Sequence, residues 1–129
     1  MADFAAVHER LRHILEPYRA DLSVTRDGPD GLVLEVPGLE GKPWGYVAGT
    51  RVGKRYVSFH LMPVYSHPSL AAKIPPDLKK RMQGKSCFNF KAQDPALFDQ
   101  LEALTREAAA VYAKPFRIEG KGRETRVVG

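Results

Sequence analysis

Apolar residues recur at Phe4, Val7, Leu11, Ile14, Leu15 and Tyr18, spacings of three and four that predict one buried stripe on a helix beginning after Asp3. Asp3 suits the N-cap, where a short carboxylate accepts from a backbone N–H that the helix leaves unpaired. Pro17 lacks a donor and crowds the preceding turn, so the regular helix is expected to stop or bend near Glu16. The period then changes to two. Leu22 and Val24 alternate with Ser23 and Thr25, and Leu32, Leu34 and Val36 alternate after the turn-rich run Asp27-Gly28-Pro29-Asp30-Gly31, which predicts a hairpin-like pair. Pro37-Gly38 breaks it. Trp44, Tyr46, Ala48 and Thr50 form a further period-2 stretch, in which Gly45 and Gly49 signal bulges or close backbone approach.

Between Arg55 and Met62 the alternation is cleanest. Val57, Phe59 and Leu61 share one face and are expected in the core, while Tyr56, Ser58, His60 and Met62 share the other. Pro63 ends this strand. The segments 69–72 and 75–82 predict one or two short helical pieces closed by Gly84. Ser86 to Lys91 predicts a last strand, with Phe88 and Phe90 inward and Cys87 and Asn89 outward. Asp94-Pro95 starts a helix whose stripe is Leu97, Phe98, Leu101, Leu104, Ala108 and Val111, and the periodicity fades beyond Lys114-Pro115. Strands joined mostly by short turns predict an α+β fold. It is a mainly antiparallel sheet of about five strands, with the N-terminal and C-terminal helices packed on one face. This domain is expected to span 1–113, followed by a basic C-terminal tail over 114–129.

Composition narrows the possibilities. With 129 residues, 43% of them apolar, the chain is long enough for one core and gives no reason to expect two. No run approaches the ~20 apolar residues needed to cross a bilayer, so no membrane partner is expected. The start Met1-Ala2-Asp3 reaches charge at once and lacks the layout of a signal peptide. The one cysteine, Cys87, cannot form an internal disulfide. Together these predict a cytoplasmic protein.

The net charge of +5 is unevenly spread: residues 1–40 carry −4, residues 41–92 carry +9, residues 93–113 carry −3 and the remainder +3. A basic middle is compatible with an anionic partner, and also with lysines that merely solvate loops. Trp44, Tyr46, Tyr56, His60 and Asn89 fall on one nominal sheet face and are the candidate ligand-binding residues. Lys79, Lys80, Arg81 and Lys85 would supply long-range attraction for an anion. Aromatics among basic groups also suit base stacking and phosphate contact, so single-stranded nucleic acid is an alternative partner to a small molecule. The same face could equally form a homodimer contact.

Catalytic signatures are sparse. Cys87 and His60 would meet if their strands are neighbours, and a thiol beside an imidazole can become a nucleophile. No Asp or Asn is in place to orient the imidazole, and a packed structural cysteine is the favoured reading. His8 and His13 lie five apart, off the spacing by which two helix histidines share a metal, and read as surface or boundary residues. His67 sits in a connection without a visible partner. No phosphate-binding glycine loop is present, and neither a metal nor a cofactor is expected.

The middle of the chain resembles the YdhG-like domain family, small bacterial proteins some of which are described as frataxin-like iron chaperones. Carrying the resemblance are Gly41-Lys42-Pro43 with Tyr46 and Ala48, the run Tyr56-Val57-Ser58-Phe59-His60 after Lys54-Arg55, and Gly84-Lys85-Ser86 with Phe88 and Phe90. A helix bearing Leu97, Leu101 and Leu104 follows, so the likeness covers roughly residues 38–112. It implies a compact antiparallel sheet with flanking helices and supplies no catalytic set. Val36-Pro37-Gly38 stands where the family has a Tyr-Gly-Met-Pro-like turn. Iron binding is not implied here. The matching segment is basic, and the carboxylates Asp94, Asp99, Glu102 and Glu107 read as a solvated helix face.

Overall fold

A computed structural model describes residues 3–42, 45–84 and 86–118, the stretch 111–118 by its backbone alone. Helix α1 (Phe4–Leu15) begins where Asp3 accepts from the Ala6 N–H at 3.1 Å. It gives way at Pro17 to one tight turn, Glu16–Tyr18. Strands β1 (Ser23–Gly28) and β2 (Gly31–Glu35) form the expected hairpin. They are followed by β3 (Tyr46–Val52) and β4 (Val57–Leu61). Three short helices, α2 (Met62–Ser66), α3 (Pro68–Ala71) and α4 (Pro76–Lys79), each open with proline in the first turn, where its missing N–H costs nothing. Strands β5 (Met82–Gln83) and β6 (Cys87–Phe90) precede the long helix α5 (Pro95–Ile118), whose first turn Asp94 caps through the Leu97 N–H at 3.3 Å.

The fold is α+β, with a six-stranded sheet in the order β1-β2-β3-β4-β6-β5 and every neighbouring pair antiparallel. The expected α+β fold with an antiparallel sheet is present, and a short sixth strand, β5, joins the roughly five that alternation predicts. Met82 was expected in a helical piece, but α4 ends at Lys79 and the chain turns back to pair Met82 with Phe88 and Gln83 with Cys87. Helix α5 also runs on to Ile118, past the Lys114-Pro115 step at which the apolar periodicity fades.

Val57, Phe59 and Leu61 are buried in one cluster with Phe88 and Phe90 of β6, Leu11, Ile14 and Leu15 of α1, and Leu97, Phe98 and Leu101 of α5. Phe90 and Phe98 meet edge to face with centroids 5.0 Å apart, joining sheet to helix. Helix α1 lies against β3 and β4, while α5 contacts α1 and all three short helices. His8 corrects the boundary reading given above. It is 3% exposed, and its Nε2 hydrogen-bonds the Thr50 hydroxyl at 2.7 Å, tying α1 to the centre of the sheet. His67 likewise has a neighbour, the Ser66 hydroxyl 3.0 Å from its Nδ1.

One irregularity matters for the opposite face. Leu34 pairs with Ala48 and Glu35 with Tyr46, so Val47 is an extra, unpaired residue, a β-bulge. Val47 and Ala48 both enter the core, and Tyr46 is thereby turned toward His60, its ring centroid 6.2 Å from the imidazole. Strict alternation would have grouped Tyr46 with Ala48 and Thr50, which oppose the core residues Leu61 and Phe59.

Candidate functional site

The side chains between the core positions of β4 and β6 are polar, and alternation sends them to the sheet face away from Phe59 and Phe88. Register then brings them together. Ser58 lies opposite Asn89, and His60 opposite Cys87. They floor a cleft of about 400 Å³, within the ~300–1,000 Å³ usual for small-molecule sites. Tyr56 and Gln83 form one side, and Arg51, Lys54 and Arg55 bring charge from the end of β3 and the β3–β4 turn. Among the described residues no carboxylate lines it.

The floor is a closed hydrogen-bond network. Asn89 Oδ1 accepts from the Ser58 hydroxyl at 2.9 Å and from the Cys87 thiol at 3.3 Å. Asn89 Nδ2 donates to Gln83 Oε1 at 2.6 Å, and the Tyr56 hydroxyl donates to the same oxygen at 3.2 Å. Gln83 occupies this position because β5 pairs with β6, the element that helical periodicity does not reveal. Ser58, expected to be open to a partner, is 9% exposed and spends its hydroxyl inside the network.

Cys87 and His60 do meet, Sγ lying 3.7 Å from Nε2. Their environments oppose ionisation. Burial pushes the Cys87 thiol up, against a smaller downward pull from the Ser58 hydroxyl. Burial pushes the His60 imidazole down, with the Arg51 guanidinium adding to the shift. A thiolate–imidazolium pair requires the reverse shifts, so at neutral pH the proton stays on sulfur and the ring is uncharged. Tyr46 stands behind His60 and does not line the cleft; burial first, then the neighbouring Cys87 and Glu35, raises its phenol well above the ordinary tyrosine range.

Of the sequence-predicted recognition residues, Tyr56, His60 and Asn89 line the cleft, Tyr46 backs it, and Trp44 lies outside the described residues. Lys79, Lys80 and Arg81 are exposed around the end of α4, away from the cleft lining, and Lys80 faces Asp77 at 3.8 Å. Lys85 lies outside the described residues. The cleft's charge comes instead from Arg51, Lys54 and Arg55, none of which has a carboxylate partner among the described residues. Alternation marks Arg51, two residues after Gly49 and so on the His60 face; Lys54 and Arg55 sit in a turn, where no periodicity marks a face.

No metal site forms among the described residues. Asp99 and Glu102 instead approach Arg10 Nη2 at 3.4 and 3.6 Å. No described helix is long and apolar enough to cross a membrane. Comparison with models of known protein families, with curated proteins and with solved structures finds no match.

Proposed function

We propose that this protein is a non-enzymatic binding or carrier domain that holds a small anionic molecule in the sheet-face cleft. The observation that carries the reading is the pairing of a neutral, hydrogen-bonded polar floor with three cations that no carboxylate among the described residues offsets. Unpaired cations beside a concave surface attract an anion over long range, and the low-dielectric walls strengthen the contact once water is displaced. Tyr56, His60 and Asn89 orient the ligand, and Arg51, Lys54 and Arg55 neutralise it. The uncharged Cys87–His60 pair supports recognition over covalent chemistry. Membership of the YdhG-like family and residence in the cytoplasm belong to the same proposal; Tyr56, Ser58 and His60, from the run that carries the resemblance, line the cleft.

A ligand screen by thermal shift, using small anions and their neutral analogues, tests the reading. Stabilisation by anions is expected to disappear in Arg51→Gln/Arg55→Gln, whose circular dichroism should match the parent protein. Anion stabilisation that survives both substitutions would remove the cleft from consideration.

A further inference from the structure

The hydrogen-bonding capacity of the floor specifies more than the sign of the ligand's charge. Asn89 Oδ1 already accepts two hydrogen bonds, from Ser58 and Cys87, and Gln83 Oε1 accepts two, from Asn89 and Tyr56. A carboxamide oxygen has two lone pairs, so both are fully used. What the two amides retain is donors: both hydrogens on Gln83 Nε2 and one on Asn89 Nδ2. Arg51 of β3, opposite Ser58, and Lys54 and Arg55 in the β3–β4 turn also offer only donors, all of them charged. The two amides and the three cations are therefore matched to a ligand that presents acceptor oxygens to them and carries its negative charge where the cations gather.

Three uncompensated cations balance a dianion better than a monoanion. A carboxylate carries one charge, whereas a phosphate monoester carries about 1.5 to 2 at neutral pH and presents three acceptor oxygens. Two of the three cations are arginines, whose planar forks bind phosphate oxygens in pairs. Resting on the small-anion reading above, we infer that the ligand is the phosphate monoester of a small, oxygen-rich compound. Its phosphate lies at the β3–β4 turn against Arg51, Lys54 and Arg55, and its oxygen-bearing body lies over the Gln83 and Asn89 amides.

Calorimetric titration of the full chain with glycerol 3-phosphate, glycerate, glycerol and inorganic phosphate separates the possibilities. Glycerol 3-phosphate is expected to bind at least tenfold more tightly than glycerate, which has the same body with a carboxylate, and glycerol is expected not to bind. Arg55→Gln should weaken glycerol 3-phosphate and inorganic phosphate alike, by tenfold or more. Gln83→Leu, at an exposed position, should weaken glycerol 3-phosphate several-fold while sparing inorganic phosphate. Glycerate binding as tightly as glycerol 3-phosphate, with the same dependence on Arg55, would overturn the phosphate inference and leave the anion-binding cleft standing. Failure of every anion to bind would overturn both. A single-stranded oligonucleotide that displaces glycerol 3-phosphate and binds more tightly in an Arg55-dependent way would overturn the small-ligand reading in favour of nucleic acid.

Discussion

Replacing Gly49 with alanine tests how the wall of the cleft is built. Gly49 lies in the middle of β3, between Val33 of β2 and His60 of β4, with the Tyr46 phenol folded back along the strand above it. A methyl group there would sit 2.6 Å from the Leu32 carbonyl oxygen and 2.5 Å from the Tyr46 hydroxyl oxygen. Both lie roughly 1 Å inside the ~3.5 Å at which such atoms rest. The Leu32 oxygen is backbone in a paired strand and cannot swing aside. Overpacking of this kind costs about 2–3 kcal/mol. Alanine's smaller conformational entropy in the unfolded chain returns about 0.5–1 kcal/mol. The net expectation is a loss of about 2 kcal/mol, or roughly 6–10 °C in Tm for a chain of this size. In a Tyr46→Phe background the hydroxyl clash is gone and the nearest remaining ring atom is 3.4 Å away. The same substitution should then cost only about half as much, since one of two clashes persists. Urea and thermal unfolding of the four proteins complete the cycle. Gly49→Ala as stable as its parent would refute the close approach, and an equal cost in both backgrounds would refute the placement of Tyr46 over Gly49.

Acid should weaken the fold before its carboxylates titrate. Burial and Arg12 lower the His8 pKa, and burial and Arg51 lower that of His60. The unfolded imidazoles therefore take up protons first, near pH 6.5, and stability present above that value is lost as the pH falls toward the folded pKa values. Urea midpoints measured from about pH 7.5 down to about 5.5 should decline, and His8→Gln should flatten the decline; a midpoint constant across this window would contradict it. Cys87 should react slowly with an unhindered thiol reagent near neutral pH, at a rate still climbing past about pH 9; rapid labelling that levels off below about pH 8 would restore the nucleophile reading.

Much of this architecture is legible in the chain because burial imposes a period. The alternation through Val57, Phe59 and Leu61 and through Phe88 and Phe90 identifies β4 and β6 and correctly leaves His60 and Asn89 on the other face. His8 falls at the spacing of the buried stripe, four residues after Phe4 and three before Leu11, yet its polarity leads a sequence reading to the boundary, because Thr50, its partner across the sheet, is not visible along the chain. β5 leaves no such trace. Two residues cannot establish a period, and what holds them is backbone pairing with β6 and the Asn89 N–H bond to the Arg81 carbonyl at 2.8 Å. Charge is similarly deceptive in one dimension: Lys79-Lys80-Arg81 is the dense run, whereas a hairpin turn carries Lys54 and Arg55, with Arg51 just before it, to the floor formed by Ser58 and His60.

Val47 works as a spacer in β3. Deleting it would let the strand pair without interruption, and the stretch before it would rotate by half a turn, carrying the phenol of Tyr46 from beside His60 into the space filled by aliphatic side chains. The imidazole would lose its aromatic support although its contact with Cys87 across the floor remained. Anyone grafting this cleft onto another scaffold must therefore transplant the insertion together with the residues that line it.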